Sequence, residues 1–316
     1  MKEPNENTEE NIEVKAKEDI AERKLLPLSS DIVFKRVFSR EENNGILKDL
    51  LESILNIKID KVEVKNPELP INLYDDKAGI LDIKAELNGN ITCDIEMQVE
   101  NQYNIDKRTL KYGSSLISGQ LKSGDRYENL HKVITISILK FNYYKRNSYH
   151  SVAHMWFDKT KQEEYVDTKC EKEDEKATED FEMHFIELPK FKKKNPEVAS
   201  RLDQWLWLID GDGGKIKMAE AKNEKIGEAL DSIKEMSMDK KEWELYESRQ
   251  RWIADQENTK AHLLREGKAQ GKKEGIDEGR KEEAKEIARK LLKLNMPIEQ
   301  ITEITELTKE EIEKLK

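Results

Sequence analysis

Apolar and polar residues alternate between positions 81 and 99, which predicts two β-strands joined by a turn. The turn residues are Asn88, Gly89 and Asn90. The apolar positions are Leu81, Ile83, Ala85, Leu87, Ile91, Cys93, Ile95, Met97 and Val99. The polar positions are Asp82, Lys84, Glu86, Thr92, Asp94, Glu96 and Gln98. One face of this hairpin is therefore expected to enter the core, while the other carries several ionisable groups.

Helical and strand patterns follow one another around the hairpin. Apolar spacing predicts helices in DIVFKRVF, in NNGILKDLLESILNI, at about residues 104–121 and in NPEVASRLDQWLWLI. Strands are predicted near residues 59–64 and in KVITISIL, HSVAHMWFD and FEMHFIELPKF. Trp205 and Trp207 are expected in the core. This order predicts an α/β fold with a mixed central sheet flanked by helices, followed by a charged helical C-terminal extension.

Composition divides the chain into four stretches. Residues 1–24 are charged and nearly free of large apolar side chains, so they are expected to be a disordered tail. Residues 25–215 carry the pattern of the globular domain, with a charged insert at 158–180. A helical extension is predicted at residues 216–265, and a glycine-spaced helix with a small terminal helical module at 266–316.

The length of the turn decides which charges face each other in the hairpin. A three-residue loop pairs Leu87 with Ile91, and this register places Asp82 opposite Glu96. Their Cβ atoms would lie about 4.5–5.5 Å apart, where like charges destabilise a sheet. A divalent cation such as Mg²⁺ or Mn²⁺ would remove the repulsion by binding both carboxylates. Gln98, on the same face, would orient a water or a phosphate oxygen. The alternative is a solvated polar face without a ligand.

Charge and composition narrow the class of function. The net charge of −10 argues against a protein that coats nucleic acid, yet residues 102–145 hold eight Lys and Arg against three Asp and Glu. Two cysteines without metal-ligand spacing fit a reducing compartment, and five scattered histidines argue against a histidine-rich zinc site. Because no apolar run is long enough for a membrane span and no signal peptide is present, we expect a cytoplasmic protein without a membrane partner.

Several segments resemble the PD-(D/E)XK nuclease superfamily, and specifically its Rpn-type branch of recombination-promoting nucleases, which is also labelled as a transposase family. The matching segments are DIVFKRVF, LLESIL, DDKAGILDIKAELNGNITCDIEMQ, KRTLKYGSSLISGQLKSGDRYENLHKVITISIL and IELPKF. Together they cover roughly residues 25–210. The resemblance implies a restriction-endonuclease-like nuclease domain at residues 25–215, DNA as the partner, a link to DNA recombination, and Mg²⁺ or Mn²⁺ as the cofactor.

The resemblance also assigns roles to residues of the hairpin. The metal ligands fall on Asp82 and Glu96, and the superfamily's lysine position falls on Gln98, which is counted with them as catalytic. Because glutamine carries no charge and cannot take a proton, the lysine's part in polarising water is left open. Lys84 on the same face is a possible auxiliary residue, and a cross-strand partner for Asp94 is its alternative role.

Two helices complete the site that the resemblance implies. Asp31 and Lys35 match a signature in the first helix, where Asp31 either joins the site as an auxiliary acid or strengthens the start of the helix. Arg108 and Tyr112, four residues apart on one helix face, either contact DNA phosphates or tie the helix to the sheet. The expected DNA-binding set is Lys107, Arg108, Lys111 and Tyr112.

The C-terminal segment contains regularly spaced glycines. They are Gly267, Gly271, Gly275 and Gly279. Because glycine costs a helix about 1 kcal/mol relative to alanine, the spacing indicates either close helix–helix contact in a homo-oligomer or a flexible charged linker. Two short helices follow, opened by Pro297 and by the pair Thr308 and Glu311. Acidic residues in the second helix favour a packing module over a DNA-binding helix-turn-helix.

The primary hypothesis is a Mg²⁺-dependent DNA endonuclease that hydrolyses phosphodiester bonds. The rival is a catalytically weak or inactive family member that binds DNA or assembles through its helical tail. The net charge and Gln98 favour the rival, whereas the intact pair of Asp82 and Glu96 favours the enzyme. A true transposase activity rests on the family label alone.

Overall fold

A computed structural model describes residues 25–66, 82–101, 103–155, 177–192, 199–211 and 222–315. The predicted tail at residues 1–24 and nearly all of the predicted insert lie outside these ranges. The helices are α1 (Asp31–Phe38), α2 (Asn44–Leu55), α3 (Ile105–Ser118), α4 (Arg201–Asp210), α5 (Glu224–Met238), α6 (Lys240–Lys293), α7 (Ile298–Thr305) and α8 (Lys309–Glu313). The strands are β1 (Val62–Val64), β2 (Asp82–Leu87), β3 (Ile91–Gln98), β4 (Lys132–Leu139), β5 (His150–His154) and β6 (Phe181–Glu187).

In the described part of the chain, six strands form one sheet in the order β1-β2-β3-β4-β6-β5. Strand β2 is antiparallel to both of its neighbours, β1 and β3, and β5 is antiparallel to β6. Strands β3, β4 and β6 run parallel to one another. The sheet is therefore mixed, and with its flanking helices it confirms the predicted restriction-endonuclease-like α/β fold.

Local signals in the sequence set the ends of several elements. A capping box between Ser200 and Asp203 begins α4. Left-handed backbone conformations at Asn56 (φ 53°) and Gly211 (φ 80°) end α2 and α4. The helix predicted at residues 104–121 and the strand predicted at 59–64 are both shorter in the structure than the pattern suggested.

The β2–β3 hairpin has the predicted three-residue turn and the predicted register, with Asp82 opposite Glu96. Asn88 and Gly89 adopt positive φ values of 54° and 75°. Glycine and asparagine tolerate this region better than other residues, which explains their presence in the turn. The side-chain oxygen of Asn88 also accepts a hydrogen bond from the Asp60 backbone N–H over 2.7 Å, so the turn is fastened to the segment that leads into β1.

The two faces of the sheet are covered by different helices. Apolar side chains of α1, α2, α4 and α5 pack on the face that contains Ile83 and Ile95. Trp205 and Trp207 are buried there, which confirms the predicted core packing. Helix α3 covers the opposite, polar face, and a Cβ atom at Gly113 would come within 2.3 Å of a Phe181 ring carbon. Glycine at this position therefore allows α3 to lie close to the sheet.

Residues 250–316 form a second compact unit. Its small core consists of Ala288, Ile301, Leu307 and Ile312. The predicted capping box between Thr308 and Glu311 is present at the start of α8. The four spaced glycines lie inside α6, and no described atom outside the local helix backbone lies within 4 Å of the place that a Cβ would take at any of them. The predicted homo-oligomer therefore gains no support here.

None of the described helices is both long and apolar enough to cross a membrane.

Candidate active site

Three carboxylates share the polar face of the β2–β3 hairpin. Asp82 lies opposite Glu96, and Asp94 lies opposite Lys84. The three acids are 7%, 8% and 6% exposed, respectively, so all of them are buried. One role predicted for Lys84 was an ion pair with Asp94. In the structure the Lys84 ammonium instead lies 3.4 Å from an oxygen of Asp82. Asp94 is therefore a third buried acid of the candidate site. The sequence pattern did not single it out, because its burial is seen only in the structure.

Burial and the repulsion from neighbouring charges raise the pKa values of two of these groups, Glu96 and Asp94. Burial raises the pKa of Glu96 to about 7; Arg108 opposes this shift and Asp82 adds to it. Burial also raises the pKa of Asp94 well above its ordinary value, with further contributions from the charges of Asp82 and Glu96 and from a hydrogen bond to Asp82. The cluster therefore carries unfavourable negative charge that a bound cation would relieve.

One oxygen of the cluster lacks a hydrogen bond. The Oδ1 atom of Asp94 is buried and has no hydrogen-bond partner among the described residues, a condition that costs folding free energy. A cavity of about 300 Å³ adjoins it. The residues that line this cavity are Asp82, Lys84, Asp94, Tyr112, Ser115 and Leu116. The acidic cluster thus combines an unsatisfied oxygen with space for a ligand.

Arg108 of α3 forms an ion pair with Glu96. Its Nη2 atom donates to Oε1 of Glu96 over 2.5 Å, and both side chains are mostly buried. The guanidinium carbon lies 5.3 Å from the centre of the Tyr112 ring, which is within the range of a cation–π contact. Of the two roles considered for Arg108, these contacts support the tie between helix and sheet. A contact of Arg108 and Tyr112 with DNA stays a prediction.

Lys107 and Lys111 lie on the exposed side of the same helix. The buried side of α3 contacts β4, where the hydroxyls of Thr109 and Ser137 are 3.2 Å apart. Helix α3 therefore presents one face to the acidic strands and another, with two lysines, to solvent. The DNA-binding role of these lysines is likewise a prediction.

Lys35 of α1 reaches the first residue of β2. Its Nζ atom donates to the backbone oxygen of Asp82 over 2.9 Å, and the residue is 2% exposed. Burial lowers the pKa of Lys35, whereas the negative charges of Asp82 and Asp94 oppose the shift. The buried ammonium of Lys35 thus lies beside the acidic cluster. The cluster lacks the superfamily's lysine, because Gln98 stands at that position. Gln98 itself is buried at the end of β3, on the same face as Glu96.

Asp31 is held by an arginine far away in the sequence. Arg249 of α6 donates to Oδ2 of Asp31 from Nε (2.9 Å) and Nη2 (2.5 Å), and both residues are buried. The charge of Asp31 also contributes to the raised pKa of Glu96, so Asp31 lies within electrostatic range of the acidic pair. The auxiliary role of Asp31 stays a prediction. No local pattern could identify Arg249, because 218 residues separate the two partners.

The sheet also gathers histidines that are scattered in the sequence. Nε2 of His150 lies 2.9 Å from Nδ1 of His184, whose Nε2 lies 2.6 Å from a Glu182 oxygen. Burial lowers the pKa of His150 to about 4, and the hydrogen bond from His184 lowers that of Glu182 to about 2. With His154 these residues line a second cavity of about 580 Å³. Because the ring nitrogens and the carboxylate bond to one another, the group has the character of a structural network.

The acidic hairpin suits a hard divalent cation such as Mg²⁺ or Mn²⁺ better than a metal that prefers cysteine or histidine ligands. In the described ranges, no group of three or more His, Cys, Asp or Glu side chains is arranged to hold a metal ion. Mg²⁺, however, commonly uses only one or two protein carboxylates and keeps several waters. Asp82 and Glu96 supply those carboxylates, and Oδ1 of Asp94 is an unsatisfied oxygen next to them. The donor set present therefore fits such an ion.

The mixed six-stranded sheet flanked by helices is consistent with the restriction-endonuclease-like fold of PD-(D/E)XK nucleases. The family described as "PD-(D/E)XK nuclease family transposase" has a model that matches residues 28–262. Because this match covers well over half of the chain, the protein belongs to that family, and the predicted resemblance is confirmed. Comparison with curated proteins and with solved structures finds no match. PD-(D/E)XK nucleases generally use divalent metal ions.

Proposed function

We propose that this protein is a Mg²⁺- or Mn²⁺-dependent DNA endonuclease that hydrolyses phosphodiester bonds. The observation that carries the proposal is the pairing of Asp82 with Glu96, two buried carboxylates, in a member of a nuclease family. A purely structural hairpin gains nothing from buried like charges. Phosphodiester hydrolysis, in contrast, benefits from a cation held at such a place.

Each residue of the cluster has a role in this proposal. Asp82 and Glu96 hold the metal ion, which when bound activates water and offsets the charge of the scissile phosphate. Gln98 orients the water or a phosphate oxygen through its amide group. Lys35 fixes the backbone at Asp82 and adds buried positive charge. Lys84, which is next to Asp82 and lines the cavity, supplies positive charge on the side open to substrate.

Positive charge on α3 accounts for DNA binding. Lys107 and Lys111 are exposed and contact phosphates of the backbone, while Arg108 and Tyr112 lie nearer to the acidic pair. Because the whole chain is strongly acidic, the local excess of positive charge between residues 102 and 145 confines DNA to this side of the domain.

A catalytically weak or inactive DNA-binding protein is the second candidate. It is favoured by Gln98 at the lysine position and by the Arg108 guanidinium that already neutralises Glu96. Such a protein would keep its affinity for DNA and would not cleave it.

Supercoiled plasmid separates the two candidates. Wild-type protein should nick or cut the plasmid with Mg²⁺ or Mn²⁺ and not with EDTA, and Asp82→Asn and Glu96→Gln should each lower the rate by about a hundredfold or more. Glu86→Gln is the matched control, because Glu86 lies on the same face of β2 and pairs with Lys65 at a distance from the cluster. Cleavage that survives both site substitutions would refute the assignment. DNA binding without any cleavage by wild type would favour the second candidate.

A further inference from the structure

Glu96 is both a proposed metal ligand and the partner of Arg108. Its Oε1 atom accepts the 2.5 Å hydrogen bond from Arg108, and the two side chains are only 11% and 19% exposed. A guanidinium and a divalent cation at the same buried carboxylate would repel each other strongly, because little water is present to screen them. Metal binding at Glu96 and the pair with Arg108 are therefore competing states.

Helix α3 is held to the sheet by contacts that do not involve the Arg108 side chain. Helix α3 is held against the sheet by the contact between Thr109 and Ser137 and by the close approach at Gly113. Tyr112 lies one turn further along, and its ring centre is 5.3 Å from the guanidinium carbon, so Arg108 has a cation–π contact in addition to its ion pair. An arginine released from a carboxylate is well suited to a phosphate, which presents oxygens with similar geometry.

We propose that the divalent cation and Arg108 exchange at Glu96, so that metal binding frees the guanidinium to contact a phosphate of the DNA. This inference rests on the proposed function and adds a coupling to it. Without the cation, Arg108 is the internal counter-ion of Glu96 and is held away from DNA. With the cation, the same residue holds the substrate next to the metal. Metal and DNA must then increase each other's affinity, since linkage is reciprocal.

The first test measures the competition without DNA. Isothermal titration of the full chain with Mn²⁺ should show that Arg108→Gln binds Mn²⁺ about tenfold more tightly than wild type, because a charge-assisted hydrogen bond no longer competes. Lys107→Gln is the matched control, since it removes the same charge from the exposed side of α3. Its affinity should change by less than about threefold. Equal affinities of Arg108→Gln and wild type would overturn the exchange.

The second test measures DNA binding without metal. In EDTA, fluorescence anisotropy with a labelled duplex should show that Glu96→Gln binds about tenfold more tightly than wild type, because Arg108 has lost its charged partner. The gain should vanish in the double variant Glu96→Gln with Arg108→Gln. Asp94→Asn is the control for an amide in place of a carboxyl group in the same cluster, because Asp94 forms its hydrogen bond with Asp82. An equal gain from Asp94→Asn, or a gain that persists in the double variant, would overturn the proposal.

The two failures can be told apart. Absence of plasmid cleavage by wild type refutes the nuclease and leaves the Mn²⁺ titration as a valid test of the exchange. An active nuclease whose Arg108→Gln variant has unchanged Mn²⁺ affinity refutes the exchange alone. If Arg108→Gln fails to fold, as judged by thermal melting, Arg108→Lys replaces it. That variant keeps the charge but loses the planar fork, so the exchange predicts tighter Mn²⁺ binding than in wild type.

Discussion

Two buried acidic sites in the first compact unit are arranged in opposite ways. Asp49 of α2 is 5% exposed and is surrounded by donors. It accepts hydrogen bonds from the indole nitrogen of Trp205 (2.7 Å), the amide of Asn223 (3.0 Å) and Nε of Arg201 (3.1 Å). These bonds connect α2 to α4 and to the segment before α5. Asp49 therefore has what a buried carboxylate needs for a structural role.

The acidic cluster of the hairpin lacks this arrangement. Asp82, Asp94 and Glu96 lie together, one pKa is raised to about 7, and an oxygen of Asp94 has no partner among the described residues. Arg108 neutralises only part of the charge. Burial alone therefore does not distinguish a structural acid from an acid of the proposed metal site. What distinguishes them is whether the surrounding donors satisfy the charge.

The largest expected effect is a loss of protein stability when Asp49 is replaced. Asp49→Ala leaves the Trp205 indole without its acceptor and removes one of the two carboxylates that Arg201 contacts, so the free energy of unfolding should fall by about 3 kcal/mol. Asp94→Asn should leave the free energy of unfolding unchanged or raise it, because the amide cannot take the negative charge that burial, Asp82 and Glu96 oppose. Urea unfolding of both variants checks this difference. Equal destabilisation would remove the distinction between the two sites.

Stability should be nearly as sensitive to the close packing of α3 on the acidic face of the sheet. Gly113→Ala forces a methyl group against Phe181, and because α3 would have to shift, the free energy of unfolding should fall by about 2 kcal/mol. The paired variant Ser114→Ala changes an exposed neighbour on the same helix and should have little effect. Urea midpoints measure both. A Gly113→Ala protein as stable as wild type would mean that α3 is not held closely to the sheet.

The acidic cluster should also give the metal-free protein an unusual pH dependence. Because the pKa of Glu96 is raised from 4.5 to about 7, the folded state binds this proton more tightly than the unfolded state. The stability that this tighter proton binding contributes is fully present below pH 4.5 and is lost as the pH rises through 7. In EDTA the unfolding free energy of wild type should therefore fall by about 1–2 kcal/mol between pH 5 and pH 8.

Glu96→Gln is the control for that pH dependence, because its amide does not titrate. Asp94, whose pKa is also raised, contributes a slope of the same sign that remains in this variant. Denaturant unfolding across the pH range measures both proteins. A wild-type stability that is constant or rises between pH 5 and pH 8 would contradict the charge assignment of the cluster.

The smallest expected effect lies in the second compact unit, where glycine is not constrained by packing. At Gly271 nothing in the described structure obstructs a Cβ atom, so Gly271→Ala should stabilise the helix by somewhat less than 1 kcal/mol. Circular dichroism during thermal melting measures the gain. A loss of stability, or a change of mass in sedimentation, would indicate that another molecule approaches this glycine.

Much of the hairpin was predictable because its determinants are local. The alternation of apolar and polar residues predicted which face is buried, and the length of the turn predicted that Asp82 lies opposite Glu96. Contacts between distant segments were not predictable in this way. The bond of Arg249 to Asp31 spans 218 residues, and the contact of Gly113 with Phe181 depends on the packing of a helix on a strand. The burial of Asp94 was not predicted either, because it arises only in the packed structure, where residues of α3 line the same cavity.

Stabilisation by Mn²⁺ tests the central claim most directly. If Asp82 and Glu96 hold a divalent cation, Mn²⁺ at about a hundred times its dissociation constant should stabilise wild type by about 2.7 kcal/mol. Asp49→Ala, although less stable at the outset, should gain the same amount. In the wild type Asp49 accepts hydrogen bonds from protein donors, so it takes no part in the proposed metal site. Asp82→Asn should gain almost nothing. Stabilisation of Asp82→Asn equal to that of wild type would contradict a metal site at the hairpin.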